Sequence, residues 1–394
     1  MKRLLFISHR VPYPPDKGER VRAFHALQAL STRFGVTLAA LAHRRSDYAA
    51  AAALRPWCER VIVAPAGGAM GLLRGGLALL GGRSVTEGFF HSPTMKHLLA
   101  RECRRDRFDL VLGYCSSTLP LALAVPAAAR VMDLVDIDSL KWRSYAAGAR
   151  WPASWLYRAE SGRLRAMERR AVETCQAALC VSEAEAGACS FGDRKLTVVE
   201  NGVDADYFKP SPAGAASSRG VVFTGTMSYR PNVDAVVWFA GEVWPGLVRE
   251  IPDLTFAIVG RDPTRAVRRL GRRAGVRVVG AVPDVRPYLD AAAVAAAPLR
   301  IARGVQNKVL EAMAMQKPVV ASPQALEGLD VEDGRHLLRA ETPRQWRERI
   351  LQLIRDEDLR RRLGKSARAW VQRRYNWTAR TAPLVALCER LASP

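Results

Sequence analysis

The sequence predicts an α/β chain made of two doubly wound units, each a parallel sheet wrapped in helices. Three observations carry this. At 394 residues the chain is too long for one compact core and fits two. Short apolar runs of strand length recur along it, with stretches of helical period between most of them. The alternation breaks once, in the Pro-, Gly-, Ala- and Ser-rich stretch 210–219, and then starts afresh.

The first apolar run, 3–7, ends in His9-Arg10-Val11-Pro12-Tyr13-Pro14-Pro15-Asp16-Lys17-Gly18, after which Val21, Phe24, Leu27 and Leu30 recur at helical spacing. This reads as strand, loop, helix. The strand signal returns at 36–42, 60–64, 110–114, 130–134 and 178–181. After the break, strands are expected at 221–225, 254–260, 276–280, 294–298 and 317–321, with a helix over 233–248. Two helices, 343–355 and 358–374, precede Tyr375-Asn376-Trp377 and a last apolar helix to Leu391. Alternation of this kind builds parallel sheets with helices on both faces. The expected domains are therefore 1–205 and 206–375, with 376–394 crossing back onto the first. Two such units facing each other form a cleft at the carboxyl ends of both sheets, where open α/β sheets bind ligands.

Composition narrows the function classes. Lys and Arg total 60 against 38 Asp and Glu, a formal charge of +22, which favours nucleic acid, anionic lipid or phosphorylated substrates. An arginine-heavy, lysine-poor composition also arises from a GC-rich genome. No aromatic-glycine RNA motif, zinc-finger spacing or helix-turn-helix is present, so nucleic acid is not expected as a partner. The seven cysteines lack any Cys-x-x-Cys pair, which argues against a disulfide framework and a metal site. No apolar run reaches membrane-spanning length, and the first is too short for a signal peptide, so a cytoplasmic location is expected.

The chemically informative segment runs from Pro298 to Ala321: strand end, glycine-containing loop, helix opening near Gln306, next strand. Backbone N–H groups at a helix start and the helix dipole both favour an anion there. Lys308 falls in the first turn, where a cation is disfavoured unless an anion joins it. Glu311 follows one turn later, placed to accept hydrogen bonds from ribose-type hydroxyls. Taken alone, the two residues are better read as a solvated pair on an amphipathic helix.

The segment as a whole resembles the donor-binding signature of glycosyltransferase family four. In that family two glutamates separated by seven residues, followed by Ala-Met-Ala and a Pro-Val-Val-Ala strand, hold the sugar and ribose of a nucleotide-sugar donor. Glu311, Ala312-Met313-Ala314 and Pro318-Val319-Val320-Ala321 match, while Arg303 stands at the first glutamate position. Asn201-Gly202-Val203-Asp204 resembles the family's interdomain segment, and 221–225 its first donor-domain strand. The usual phosphate-binding Arg and Lys correspond here to Thr226 and Pro231, with Arg230 and Lys308 as substitutes. The resemblance implies a GT-B fold of two Rossmann-like domains. It also implies a donor site of Gly18, Arg230, Val282, Arg303, Gly304, Val305, Gln306, Asn307, Lys308 and Glu311. Of these, Val282 holds the base through its backbone, and Gly18 approaches the diphosphate across the cleft.

The combination of 13–18, 133–142, 225–232 and 304–308 is similar to the exosortase (PEP-CTERM)-associated sugar transferases, which serve exopolysaccharide biosynthesis. By this resemblance the chain is a retaining, metal-independent hexosyltransferase without a cofactor, acting on a glycan or lipid-linked acceptor. Asp133, Asp136 and Asp138 at a strand's carboxyl end fit either hydroxyl binding or loop capping, and Asp136 and His9 are the candidate catalytic residues. Stretch 151–170 mixes Trp151, Trp155, Leu156, Tyr157 and Met167 with arginines. Most of these apolar side chains are expected to pack on the sheet, leaving the arginines to face an anionic membrane surface. Two rivals remain at this stage: a nucleotide-sugar epimerase of similar architecture, for which no acid/base set is found, and a basic nucleic-acid-binding protein.

Overall fold

The computed structural model describes all residues except 16–17, 190, 192–195, 212–218, 303–304 and 394. The chain divides into two compact units, Met1–Glu200 with Arg380–Pro394, and Asn201–Ala379.

In the first unit the strands are β1 (Lys2–Ser8), β2 (Phe34–Ala42), β3 (Arg60–Pro65), β4 (Phe108–Tyr114), β5 (Ala127–Asp133), β6 (Ala177–Cys180) and β7 (Thr197–Val198). They pair in parallel in the order β3-β2-β1-β4-β5-β6-β7. Both faces are covered, which is why the strands read as continuous apolar runs. Leu4 and Phe6 join Leu27, Leu30 and Leu384 on one face, while Leu5 and Ile7 join Leu99 and Met132 on the other. The final helix, Trp377–Ala392, contributes Leu384, Leu387 and Cys388 to the first of these layers.

The second unit contains β8 (Gly220–Thr224), β9 (Thr255–Val259), β10 (Val276–Gly280), β11 (Val294–Ala297), β12 (Val319–Ala321) and β13 (Leu338–Arg339). Its parallel order is β10-β9-β8-β11-β12-β13. Each sheet thus reverses direction of growth beside its first strand, between β1 and β4 and between β8 and β11. Loops leave such a switch point to opposite faces and open a crevice at the carboxyl ends.

The helix expected over 233–248 is broken into Arg230–Trp238, a π-turn at Phe239–Val243 and Trp244–Glu250. Pro245 lacks the N–H that a continuous ladder needs, so the turn widens just before it. The break does not loosen the core: Phe239 meets Phe256 at 4.9 Å between ring centroids, and Trp244 donates from Nε1 to Ala274 O at 2.8 Å. The two-residue strands β7 and β13 were not expected; they are too short to show a period. Trp151 and Trp155 correct another expectation, since both are exposed, whereas Met167 is buried and Tyr157 half-buried against Trp142.

Two contacts hold the carboxyl ends in place. In the first unit Arg22, on the helix Gly18–Ser31, donates from Nε to Asp133 Oδ2 at 2.9 Å and from Nη1 to Val199 O at 2.6 Å. Both side chains are buried, so the pair ties that helix to the end of β5. In the second unit Gly260, after β9, lies against Gly225, after β8: a Cβ on Gly260 would stand 1.7 Å from Gly225 O. Only glycine permits that approach.

Arg22→Ala leaves the Asp133 carboxylate buried without its partner, and should lower the stability of the first unit by about 3–5 kcal/mol. Urea denaturation followed by far-UV circular dichroism measures this. Gly260→Ala should cost on the order of 2 kcal/mol or more, by forcing the β8 and β9 loops apart. A calorimetric scan with the second unit's transition unmoved would contradict the close approach.

Candidate functional site

The switch point of the second unit brings two helix starts together. The loop after β8, Gly225 to Tyr229, leads into the helix Arg230–Trp238, and the chain after β11 leads into Asn307–Ala314 with Gln306 at its N-cap. Asn232, buried in the first turn of the former, donates from Nδ2 to Thr226 O at 3.0 Å. Its Oδ1 accepts a short hydrogen bond from Lys308 Nζ, in the first turn of the latter. The Lys308 amine also lies 4.7 Å from the centroid of the Phe223 ring, at the end of β8. It is therefore held by an amide oxygen and a π-face in place of water.

Burial lowers the Lys308 amine to about 7, with Glu311 opposing the shift. Burial likewise raises the Glu311 carboxyl to about 7, with Lys308 opposing. Both side chains are half-buried. Neither group behaves as a solvated surface charge. The arrangement offers an ammonium, a carboxyl and two sets of helix-start N–H groups around one crevice. Chemically it suits an anion with hydroxyls attached.

The other sequence-derived residues fall around this crevice to different degrees. Arg230 opens the first helix with an exposed side chain. Val305 is buried in the core of the unit, which leaves its backbone as the part able to meet a ligand. Gln306 caps the second helix start without a side-chain cap bond, and Asn307 Oδ1 is a buried acceptor without a hydrogen-bond partner. Val282 is half-buried in the loop after β10. Arg303 and Gly304 lie outside the described residues. Asn232 and Phe223 had been given no role from the sequence. The available signal was a polar residue in the first turn after a strand end, at the same switch point as Lys308.

The first unit gathers its own polar groups at the carboxyl ends of β1, β4 and β5. His9 stacks on Tyr114 at 6.0 Å and meets Phe90 edge-on at 5.2 Å. Burial lowers its ring to about 4, so it is neutral at physiological pH, and its Nδ1 has no hydrogen-bond partner. Asp133 is consumed by Arg22. Asp138 pairs with Lys141 at 3.5 Å. Between them Val135 has φ 66°, a left-handed conformation costly for a β-branched residue. Its N–H donates to Asp133 Oδ1 at 3.0 Å and its carbonyl accepts from Val181 N at 3.0 Å, which holds the strained turn. The turn presents Asp136, whose side chain is exposed. Desolvation raises its carboxyl to about 6, opposed by Lys141 and assisted by Asp138. Repulsion from Asp138 and Asp133 acts in the same upward direction. Gly18, at the start of its helix, is exposed.

Among the described residues, no group of three or more His, Cys, Asp or Glu side chains could hold a metal ion. Among them too, no helix is long and apolar enough to cross a membrane.

Residues 218–356 match the family model described as glycosyl transferases group 1. A stretch of 94 residues is 32% identical to the uncharacterised glycosyltransferase MJ1069 of Methanocaldococcus jannaschii, covering 23% of this chain and 24% of that protein. The chain thus matches only about a quarter of that relative's length. Among solved structures, Anabaena Alr3699/HepE in complex with UDP and glucose aligns over 99% of this chain and 100% of its own, with 17% identity and a TM-score of 0.67. Sucrose-phosphate synthase from Thermosynechococcus elongatus aligns over 99% of each chain, with 16% identity and a TM-score of 0.69. These likenesses show the fold. The chain has the GT-B architecture of two Rossmann-like units, and within it residues 218–356 match the glycosyl transferases group 1 model.

Proposed function

We propose that this chain is a family-four sugar transferase of the exosortase-associated kind, which moves a hexosyl group from a nucleoside diphosphate donor to a glycan or lipid-linked acceptor with retention of configuration. Lys308 carries the proposal: a desolvated amine pinned by Asn232 where two helix starts meet. A pyrophosphate restores the charge that burial withdraws from the amine. Glu311, one turn on, accepts from the ribose hydroxyls. Arg230, Gln306 and Asn307 at the two helix starts, Val282 after β10, Arg303, Gly304 and Val305 before the second start, and Gly18 complete the proposed donor set. The donor half of the function falls to 206–375 and the acceptor half to 1–205, with location on the cytoplasmic side and exopolysaccharide as the product class. That Alr3699/HepE was crystallised with UDP and glucose supports a nucleotide-sugar donor, and that the group 1 match falls on the second unit supports placing the donor there.

In the proposed step the bond between the anomeric carbon and the β-phosphate oxygen breaks, and its electron pair leaves with the diphosphate. The acceptor oxygen bonds to the anomeric carbon from the same face. Its proton passes to the departing phosphate, so no metal or cofactor enters. Lys308 and the helix starts stabilise the charge that develops on the leaving group. Asp136 and His9 orient hydroxyls. His9, whose basicity burial lowers, serves as a hydrogen-bonding group and is a weak proton acceptor.

A panel of nucleotide sugars, screened by thermal unfolding, should contain one that stabilises the chain by about 2.7 kcal/mol at a concentration a hundredfold above its Kd. Lys308→Ala and Glu311→Ala should each abolish that shift while leaving the unliganded melting temperature within a few degrees. Transfer of radiolabelled sugar to a membrane lipid extract supports the reading, whereas epimer formation or simple hydrolysis overturns it. Binding should also depend on pH. Burial lowers the Lys308 amine to about 7 and a bound diphosphate raises it again, so binding takes up a proton above neutrality. Affinity for a nucleoside diphosphate should therefore weaken as pH rises from about 7, at most tenfold per unit. Lys308→Gln should flatten the profile, and calorimetry in two buffers of different ionisation enthalpy reads the proton directly.

A further inference from the structure

The helix Gly68–Leu80 in the first unit is built inside out. Its buried residues are Gly71, Gly75 and Ala78, while its large apolar side chains point to solvent. Met70 is 56% exposed, Leu72 68%, Leu73 56%, Leu77 59% and Leu80 85%. Met70, Leu73, Leu77 and Leu80 recur at spacings of three and four, which gathers them into a stripe spanning about 80° of the helix circumference. The inward face is fixed by close contact with the helix Val85–Phe90. A Cβ on Gly71 would lie 2.9 Å from Phe89 O, and one on Gly88 would lie 2.5 Å from Arg74 O. Rotating the helix to bury its leucines would force them into that contact. The apolar stripe is therefore held outward by the packing beneath it.

Its surroundings are basic. From Arg60 to Thr86 the sequence contains no Asp or Glu. Arg74 donates to His91 O at 3.1 Å, and Arg83 and Lys96 act on the same imidazole, which burial and these cations hold below its usual range. Glu160, on the helix Ala153–Thr174, accepts from Ser84 Oγ and from the N–H groups of Val85 and Thr86, so that helix is anchored to the same pair. Five residues back, about 7.5 Å along the axis, Trp155 is 59% exposed. Exposed leucines, a tryptophan and a basic border form the composition of a helix lying in the plane of a bilayer interface. A second copy of the chain fits less well, because each carries a formal charge of +22.

We propose that the Gly68–Leu80 stripe is a docking surface for an anionic lipid bilayer, entered by Met70, Leu73, Leu77 and Leu80 and bordered by Arg74 and Arg83. This deepens the reading of a lipid-linked acceptor and rests on it for its purpose, but lipid binding is measured without any sugar transfer. The test is co-sedimentation of the full chain with phosphatidylcholine vesicles, with and without about a third phosphatidylglycerol. The wild-type chain should pellet with the anionic vesicles and remain in solution with the neutral ones. Leu73→Glu/Leu77→Glu, and the milder Leu73→Ser/Leu77→Ser, should weaken partitioning at least tenfold with circular dichroism and nucleotide-induced thermal shift unchanged. A wild-type chain that stays in the supernatant overturns the proposal, as does equal binding to neutral vesicles. Variants that pellet like the wild type place the contact elsewhere. A stable dimer by light scattering that the double variant dissociates makes the stripe a self-interface and also overturns it.

Discussion

The second unit is organised around an amine in an unfavourable place. Lys308 sits in the first turn of a helix, where the dipole repels a cation, and burial adds a desolvation cost. Asn232 and the Phe223 ring offset part of this by supplying an amide oxygen and a π-face. These partners come from the strand and helix on the other side of the switch point. The contact therefore depends on β8 and β11 being neighbours, and on the Gly225 loop being held by the Gly260 approach. A charge kept at such cost is understandable if an anion completes its environment.

The first unit solves the same topological problem differently. At its switch point the buried cation is Arg22, and its counter-ion Asp133 belongs to the chain itself. The guanidinium needs no ligand, and the pair acts as a structural clamp between the first helix and β5. What remains open is the turn after β5, where the strained Val135 backbone lifts Asp136 into solvent. The crevices differ in character: one centres on an amine kept short of charge, the other offers carboxyl and hydroxyl-binding groups on a rigid base. A donor with a diphosphate and an acceptor with hydroxyls make matching demands.

Much of this architecture was legible because parallel strands buried on both faces leave an unmistakable apolar signature. Runs such as 3–7, 36–42 and 110–114 each proved to lie within β1, β2 and β4. The helix start near Gln306 was legible too, since a strand end, a glycine and a helical period follow one another there. The two-residue strands β7 and β13 were not, because no period exists in two residues. The break at Phe239–Val243 was hidden by an apolar pattern that runs through it, although Pro245 marked the site. Asn232 and Phe223 escaped for another reason. Their meaning lies in contacts with Lys308, 76 residues away in the case of Asn232. Trp151 and Trp155 were expected against the sheet because aromatics usually pack; Trp155 lies on a helix whose inward residues are Glu160, Leu164 and Met167, and Trp151 lies before its start.

Beyond the strained Val135 turn and the break at Phe239–Val243, two places in the chain set a side chain against its local surroundings. Lys308 puts the wrong charge at a helix start, and the helix Gly68–Leu80 turns glycines inward and leucines outward. Such conflicts are where functional demands outweigh stability. Both conflicts share a form: each exposes a group that an external partner would satisfy, a diphosphate in one case and acyl chains in the other. Asn232 and Phe223 satisfy the amine only in part, and nothing in the first unit covers the leucine stripe among the described residues. The two features sit on different units and involve unrelated chemistry, so they are independent signs. Together they are the two observations behind the proposals of an activated-sugar donor on one unit and a membrane contact on the other.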